Sequence, residues 1–216
     1  LPPEPLSSLP QIPYHLLDND EDFLVSTKFG NRVAYLLTSQ GCPNNCSFCS
    51  ESAFYKRRWS SISVKNAIKT ALEFKKKYNV DGIIPSDSNF FVDEKRIVEF
   101  CKAMIETGLK WGGTSARPDA LARFSDETWD WMKKSGLEGI FIGTESANNE
   151  TLKIMNKGCV VEDTLKALEK AKKHGIRLEV PFIIGIPGTD IKKDFQINMK
   201  FINEHRKDVG QFHMFV

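Results

Sequence analysis

From residue 33 onward, short continuous apolar runs alternate with apolar residues at helical spacing. The runs at 33–39, 82–84, 110–116, 139–144, 176–186 and 211–216 predict buried strands. Between them, Val64, Ala67, Ile68, Ala71 and Leu72 predict a helix over 64–78. Ile97, Cys101, Met104 and Ile105 share one face of a second helix, capped by Asp93 and closed by Gly108. Ser125 caps a third, with Asp126 and Glu127 in its first turn and Gly136 at its end. A fourth helix runs over 161–174 to Gly175, and Ile191, Phe195, Met199 and Ile202 mark a fifth. Parallel strands need long crossovers, so this alternation predicts an α/β fold with a parallel sheet. The pattern leaves open whether the sheet is doubly wound or a partial barrel. Either one places chemistry just after the strands, at their carboxyl ends.

The first residues read differently. Five of the ten prolines fall at positions 2, 3, 5, 10 and 13. Residues 1–22 are therefore expected to be a linker and lead-in, with the folded core over 23–216. The chain starts at Leu1 rather than Met and stops inside an apolar run, so both ends are expected to be cuts in a longer protein. Hydrophobic residues make up 41% and charged residues 27%, which excludes disorder as the main state. The net charge of +2 gives no reason to expect nucleic acid or an anionic membrane as partner. No apolar run reaches the roughly 18 residues of a membrane span, and the first residues do not show the basic-then-apolar pattern of a signal peptide.

The chemistry concentrates in Cys42-Pro43-Asn44-Asn45-Cys46-Ser47-Phe48-Cys49, directly after the first predicted strand. Three thiolates this close can surround one metal or cluster, and soft sulfur favours zinc or iron–sulfur. Structural zinc usually takes four ligands, and the histidines at 15, 174, 205 and 213 are distant in sequence. A four-iron cluster on three thiolates leaves one iron open to a substrate or cofactor. Cys101 reads as a small buried hydrophobe on its helix, and Cys159 has no assigned role.

This C-x3-C-x2-C loop, with Phe48 before its third cysteine, resembles the cluster motif of the radical S-adenosylmethionine (radical SAM) superfamily. The resemblance covers residues 33–216. It implies a partial (βα)6 TIM-like barrel with its last helix missing from this chain. It also implies that Cys42, Cys46 and Cys49 ligate a [4Fe-4S] cluster whose open iron chelates S-adenosylmethionine. Reductive cleavage of that cofactor to a 5′-deoxyadenosyl radical, with hydrogen abstraction from a substrate, would follow. A low-potential electron donor of flavodoxin or ferredoxin type and a reducing cytoplasm are the implied setting.

Other strand ends supply expected cofactor contacts. Asp87, where many relatives carry a Gly-Gly-Glu-like stretch, is expected to accept from the cofactor's ammonium. The turn it lies in explains Asp87 and Asn89 equally well. Arg117 is a candidate carboxylate clamp, with a surface pair to Asp119 as the plainer reading. Glu145 and Ser146 are expected at the ribose or amino-acid end, unless Ser146 simply caps the next helix. Gly185 and Ile186 resemble the family's adenine-side stretch, with Asp190 where Glu is common. The Gly112-Gly113 pair suggests close approach by something bulky. No residue that handles substrate is legible.

The Pro-rich start, together with Asp87-Ser88-Asn89-Phe90-Phe91, Arg117-Pro118-Asp119 and Gly143-Thr144-Glu145-Ser146, looks most like radical SAM enzymes carrying an upstream cobalamin domain. That resemblance implies methylation of an unactivated carbon or related radical chemistry, since some relatives cyclise or rearrange instead. Any cobalamin would be held by a domain outside this chain, and the substrate, small-molecule or other, is one that the sequence does not name. Two alternatives stand beside it: a cobalamin-independent enzyme such as a methylthiotransferase-like RNA modifier, and a non-catalytic metal-stabilised α/β binding module.

Overall fold

The computed structural model describes residues 4–10, 12–16 and 23–216. A hairpin opens the core, with β1 (Leu24–Thr27) antiparallel to β2 (Gly30–Leu36). A short antiparallel ribbon follows, formed by β3 (Ser39–Gly41) and β4 (Trp59–Ser61), with α1 (Ser50–Phe54) between its strands. Then come α2 (Val64–Tyr78), β5 (Gly82–Pro85), α3 (Glu94–Thr107), β6 (Lys110–Trp111) and β7 (Thr114–Ala116). The chain continues through α4 (Pro118–Arg123), α5 (Asp126–Lys134), β8 (Gly139–Ile142), α6 (Asn149–Ile154) and α7 (Val161–His174). It ends with β9 (Arg177–Ile183), α8 (Ile191–His205) and β10 (Gln211–Phe215).

One sheet has the order β1-β2-β5-β6 and another β10-β9-β8-β7. All pairings except β1 with β2 are parallel in these two sheets. The sheets meet where the sequence predicts a single strand over 110–116. Gly113 takes a left-handed φ of +66°, which breaks that strand into β6 and β7. Continuity is kept by the Gly113 N–H, which donates to Gly139 O at 3.0 Å. The result is an α/β partial barrel, as expected. The predicted strand over 33–39 also divides: β2 ends at Leu36, Leu37 and Thr38 belong to no strand, and Ser39 joins the separate ribbon.

The helices close the outer face. Ala34 and Leu36 on β2 pack with Ala67, Ala71 and Phe74 of α2. Phe90, Phe100 and Trp111 form a T-shaped and tilted ring cluster with centroids 5.1–5.5 Å apart. Phe90 and Phe91, quoted above with the strand-end motif, are thus core residues with no exposed surface. Cys101 is fully buried as well, which pushes its thiol up to about 12. The two expected caps form, Asp93 accepting from the Lys95 and Arg96 amides and Ser125 from Thr128, and Asp190 caps α8 by accepting from Lys193.

The proline-rich start is not merely extended. Leu6–Ser8 and Tyr14–Leu16 are 3₁₀ turns, and Tyr14 packs edge-on against Phe74 of α2 at 4.7 Å. Residues 1–3, 11 and 17–22 of the expected linker lie outside the described residues.

The bulky group expected beside Gly112 is the protein's own Phe29. A Cβ on Gly112 would sit 3.1 Å from the Gly139 backbone and 3.3 Å from the Phe29 ring. A Cβ on Gly82 would sit 3.1 Å from the same ring, so these glycines make room for a plug at the amino-terminal end of the strands. Gly112→Val is expected to cost about 1–3 kcal/mol by overpacking, read as a lower urea midpoint with unchanged m-value. An unchanged midpoint would show that the plug is loosely packed.

Candidate functional site

The cysteine loop lies between β3 and α1, and two contacts from the far side of the barrel hold it. The Ser47 N–H donates to Met155 O at 2.8 Å, and Asn156 Nδ2 donates to Asn45 O at 2.7 Å. Cys46 is buried, Cys42 and Cys49 are half-buried, and none of the three is in a disulfide. The thiols feel one another. Burial pushes the Cys49 thiol up, and the nearby Cys46 and Cys42 push it further, against a lowering bond from the Glu51 backbone. Among the described residues no three His, Cys, Asp or Glu side chains are set to hold a single metal ion.

Nitrogen donors face these sulfurs. Asn44 Nδ2 lies 3.3 Å from Cys42 Sγ, Asn89 Nδ2 lies 3.5 Å from the same sulfur, and an Arg117 guanidinium nitrogen lies 3.6 Å from Cys46 Sγ. Such donors stabilise thiolate over thiol, as ligation of a cluster requires. The donor set therefore fits an iron–sulfur cluster held by Cys42, Cys46 and Cys49.

Arg117 is buried and spans the site. Its Nε donates to Asp119 Oδ1 at 2.9 Å and another nitrogen donates to Lys157 O at 2.6 Å. The expected Arg117–Asp119 pair forms, but beside the cysteine loop rather than on an open surface. Glu145 follows β8 with a left-handed φ of +62°, a costly backbone state for a non-glycine residue. Two backbone bonds hold it there, from its N–H to Pro181 O at 3.0 Å and from the Ile183 N–H to its carbonyl at 2.8 Å. Its Oε1 meets Lys157 Nζ at 2.8 Å, and this ammonium lies 5.5 Å from the centre of the Phe48 ring. Gly143 leaves room for the pair, since a Cβ there would fall 2.8 Å from Glu145 Oε1 and 2.9 Å from Lys157 Nζ. Phe48, Arg117 and Glu145 are thus brought together with the cysteines, and Lys157 joins them.

Two expected contacts are turned inward. Asp87 is only 3% exposed and accepts from Thr38 N–H at 2.7 Å, Thr38 Oγ1 at 2.6 Å and Ser39 Oγ at 2.6 Å. Its carboxylate is occupied in fixing the strand that leads into the cysteine loop. Ser146 has no exposed surface; its hydroxyl lies 3.2 Å from Asp194 Oδ1 on α8 and accepts from the Asn148 N–H. It does not cap α6, whose cap is Asn148. Asn89, read from sequence only as a turn former, is buried beside Cys42 with its Oδ1 unpartnered. Gly185 and Ile186 lie in the turn after β9, the strand that holds Glu145; Gly185 has a left-handed φ of +86° and open space where a Cβ would be. Cys159 is half-buried, and desolvation pushes its thiol up to about 11 although Arg117 and Lys157 pull it down.

Known proteins resemble this chain in sequence and in fold. The model of the radical SAM superfamily matches residues 36–197. An uncharacterised methyltransferase of Pyrococcus horikoshii is 29% identical over 98% of this chain and 45% of its own length. The cytidylyl-2-hydroxyethylphosphonate methyltransferase of Streptomyces wedmorensis is 30% identical over 73% of this chain and 29% of its own. Among solved structures, the cobalamin-dependent S-adenosylmethionine radical enzyme OxsB with aqua-cobalamin bound superposes at a TM-score of 0.68 and 25% identity, covering 78% of this chain and 26% of OxsB. The radical S-adenosylmethionine methyltransferase TsrM of Kitasatospora setae superposes at 0.73 and 18% identity over 85% of this chain and 35% of its own, a likeness of fold. The chain belongs to the radical SAM superfamily. It spans less than half the length of the curated relatives it matches.

The buried Glu145–Lys157 pair has a direct test. Lys157→Met leaves a buried carboxylate uncompensated and is expected to lower the unfolding free energy by about 3 kcal/mol. Adding Glu145→Gln is expected to recover part of that loss in urea titrations. A single variant as stable as the parent would mean that water replaces the ammonium.

Proposed function

We propose that this chain is the catalytic core of a radical SAM enzyme, most like the cobalamin-dependent methyltransferases. The observation that carries the reading is one loop at the carboxyl end of the strands. It holds three free cysteines, with nitrogen donors directed at two of their sulfurs and two buried cations beside them. Cys42, Cys46 and Cys49 would hold a [4Fe-4S] cluster, which when bound supplies the electron for reductive cleavage of S-adenosylmethionine.

The chain's own residues would bind and orient that cofactor. Asn89 Oδ1, buried and without a partner, is the acceptor we assign to the cofactor's ammonium in place of the occupied Asp87. Arg117 and Lys157 supply positive charge for thiolates and for a carboxylate. Glu145 keeps Oε2 free of any hydrogen bond among the described residues, available to a ribose hydroxyl. Gly185 and Ile186 would offer backbone and an apolar edge to the adenine, and Phe48 would shield the cluster from water. Ser146 acts through Asp194 and Asn198 to hold the Glu145 turn. Methylation of a small molecule, cobalamin held outside residues 1–216, a flavodoxin- or ferredoxin-type donor and a cytoplasmic setting complete the proposal. The cobalamin named for OxsB supports that branch. The near-neutral charge favours a small molecule over nucleic acid. No helix among the described residues is long and apolar enough to cross a membrane.

The test is anaerobic reconstitution of the chain with iron and sulfide, followed by reduction and EPR with and without S-adenosylmethionine. A four-iron signal that changes on adding the cofactor, and is absent from Cys46→Ala, is expected. Stoichiometric zinc with no cluster would overturn the reading in favour of a metal-stabilised binding module.

A further inference from the structure

The inner wall of the barrel carries a histidine–carboxylate pair that the cluster site does not use. On β9, Leu178, Val180 and Phe182 have no exposed surface, and Phe182 packs on Phe201 of α8 with centroids 5.8 Å apart. Glu179 alternates with them and so faces inward. On β10, Phe212 stacks on Phe182 at 6.1 Å, which places its neighbour His213 on the inner face. His213 Nε2 lies 3.2 Å from Glu179 Oε2. Its ring is 5.5 Å from Phe141 of β8 and near-parallel to Phe215 at 6.5 Å.

We propose that His213, oriented by Glu179, binds the substrate by accepting a hydrogen bond from a hydroxyl or N–H group on a flat, apolar molecule. An ionised carboxylate only accepts, so the bond to Glu179 places the imidazole proton on Nε2. In the neutral ring Nδ1 is then an acceptor, and no hydrogen bond engages it among the described residues. The side chains of His213 and Glu179 are 26% and 38% exposed, open enough for a ligand to reach. Aromatic rings beside a directed acceptor suit a planar body bearing a donor, since rings supply area and the acceptor supplies orientation. The inference rests on the reading of the barrel as a reaction chamber and adds the chemistry of what enters it.

Phenol, a planar ring with one donor, is the probe, and toluene is the matched control without it. Nitrogen–proton correlation spectra of the full chain, assigned with His213→Phe, report the ring of His213. The expected results are the Nε2–H form, a saturable shift of Nδ1 with phenol, and no such shift with toluene. His213→Phe is expected to weaken phenol binding about fivefold, the loss of one neutral hydrogen bond, and to leave toluene binding unchanged. An Nδ1–H form, equal responses to phenol and toluene, or unchanged phenol affinity in His213→Phe would overturn the proposal. The EPR response to S-adenosylmethionine is recorded on the same samples. A phenol response at His213 without that EPR response would support this site and count against the cluster reading alone.

Discussion

The geometry of the site depends on the buried carboxylate of Asp87. A carboxylate out of water is tolerated only when its oxygens are satisfied. Asp87 achieves this with three donors, all from Thr38 and Ser39. Arg96 closes the network from α3 by donating to Thr38 Oγ1 at 2.9 Å, with its guanidinium lying 5.4 Å from the centre of the Phe90 ring. Burial pulls the Arg96 pKa down, while Asp87, Asp93 and Glu99 push it up. The ends of β2 and β5 are thereby tied together one step before the cysteines. Trp59 extends the tie, since its indole N–H donates to Ser39 Oγ and to Asn89 O, both at 3.2 Å. Asn89 in turn reaches Cys42. A chain of hydrogen bonds thus runs from a helix of the outer layer to a sulfur of the loop.

Charge explains the opposite side. Three sulfurs that ionise together repel one another; burial is the main cause that pushes the Cys49 thiol up, and Cys46 and Cys42 add to it. Arg117 lies 3.6 Å from Cys46 Sγ and Lys157 lies beside Phe48 of the same loop, and each is itself held by a carboxylate, Asp119 or Glu145. Burying such cations is unfavourable unless they meet opposite charge and full hydrogen bonding. The strained φ of Glu145 fits this logic, because the strand end is bent out of the usual backbone range to face Lys157.

The elements with a clear apolar period were legible in the sequence, as were the caps Asp93 and Ser125. The ribbon of β3 and β4 was not, because Ser39-Gln40-Gly41 and Trp59-Ser60-Ser61 carry no apolar alternation. The broken strand at Gly113 was read as continuous, since glycine's tolerance of positive φ does not say whether it is used. In the site, three cysteines within eight positions are a signal that needs no fold. Lys157 gives no such signal; only the bonds of Met155 and Asn156, just after α6, to the cysteine loop bring it to Glu145 and Phe48. Asp87 and Asn89 show the limit most clearly. Both are polar residues in one turn, and only the structure shows that the carboxylate is occupied and the amide oxygen is not.

If these contacts set the loop before any iron arrives, the metal-free chain should already hold it. Amide hydrogen exchange at Thr38 and Ser47 reads this directly, since their N–H groups bond to Asp87 and to Met155 O. Slow exchange at both in the metal-free chain, little changed after cluster loading, is the expected result. Exchange at the rate of an unstructured peptide, slowing only when the cluster is loaded, would contradict it and make the cluster the organiser of its own site.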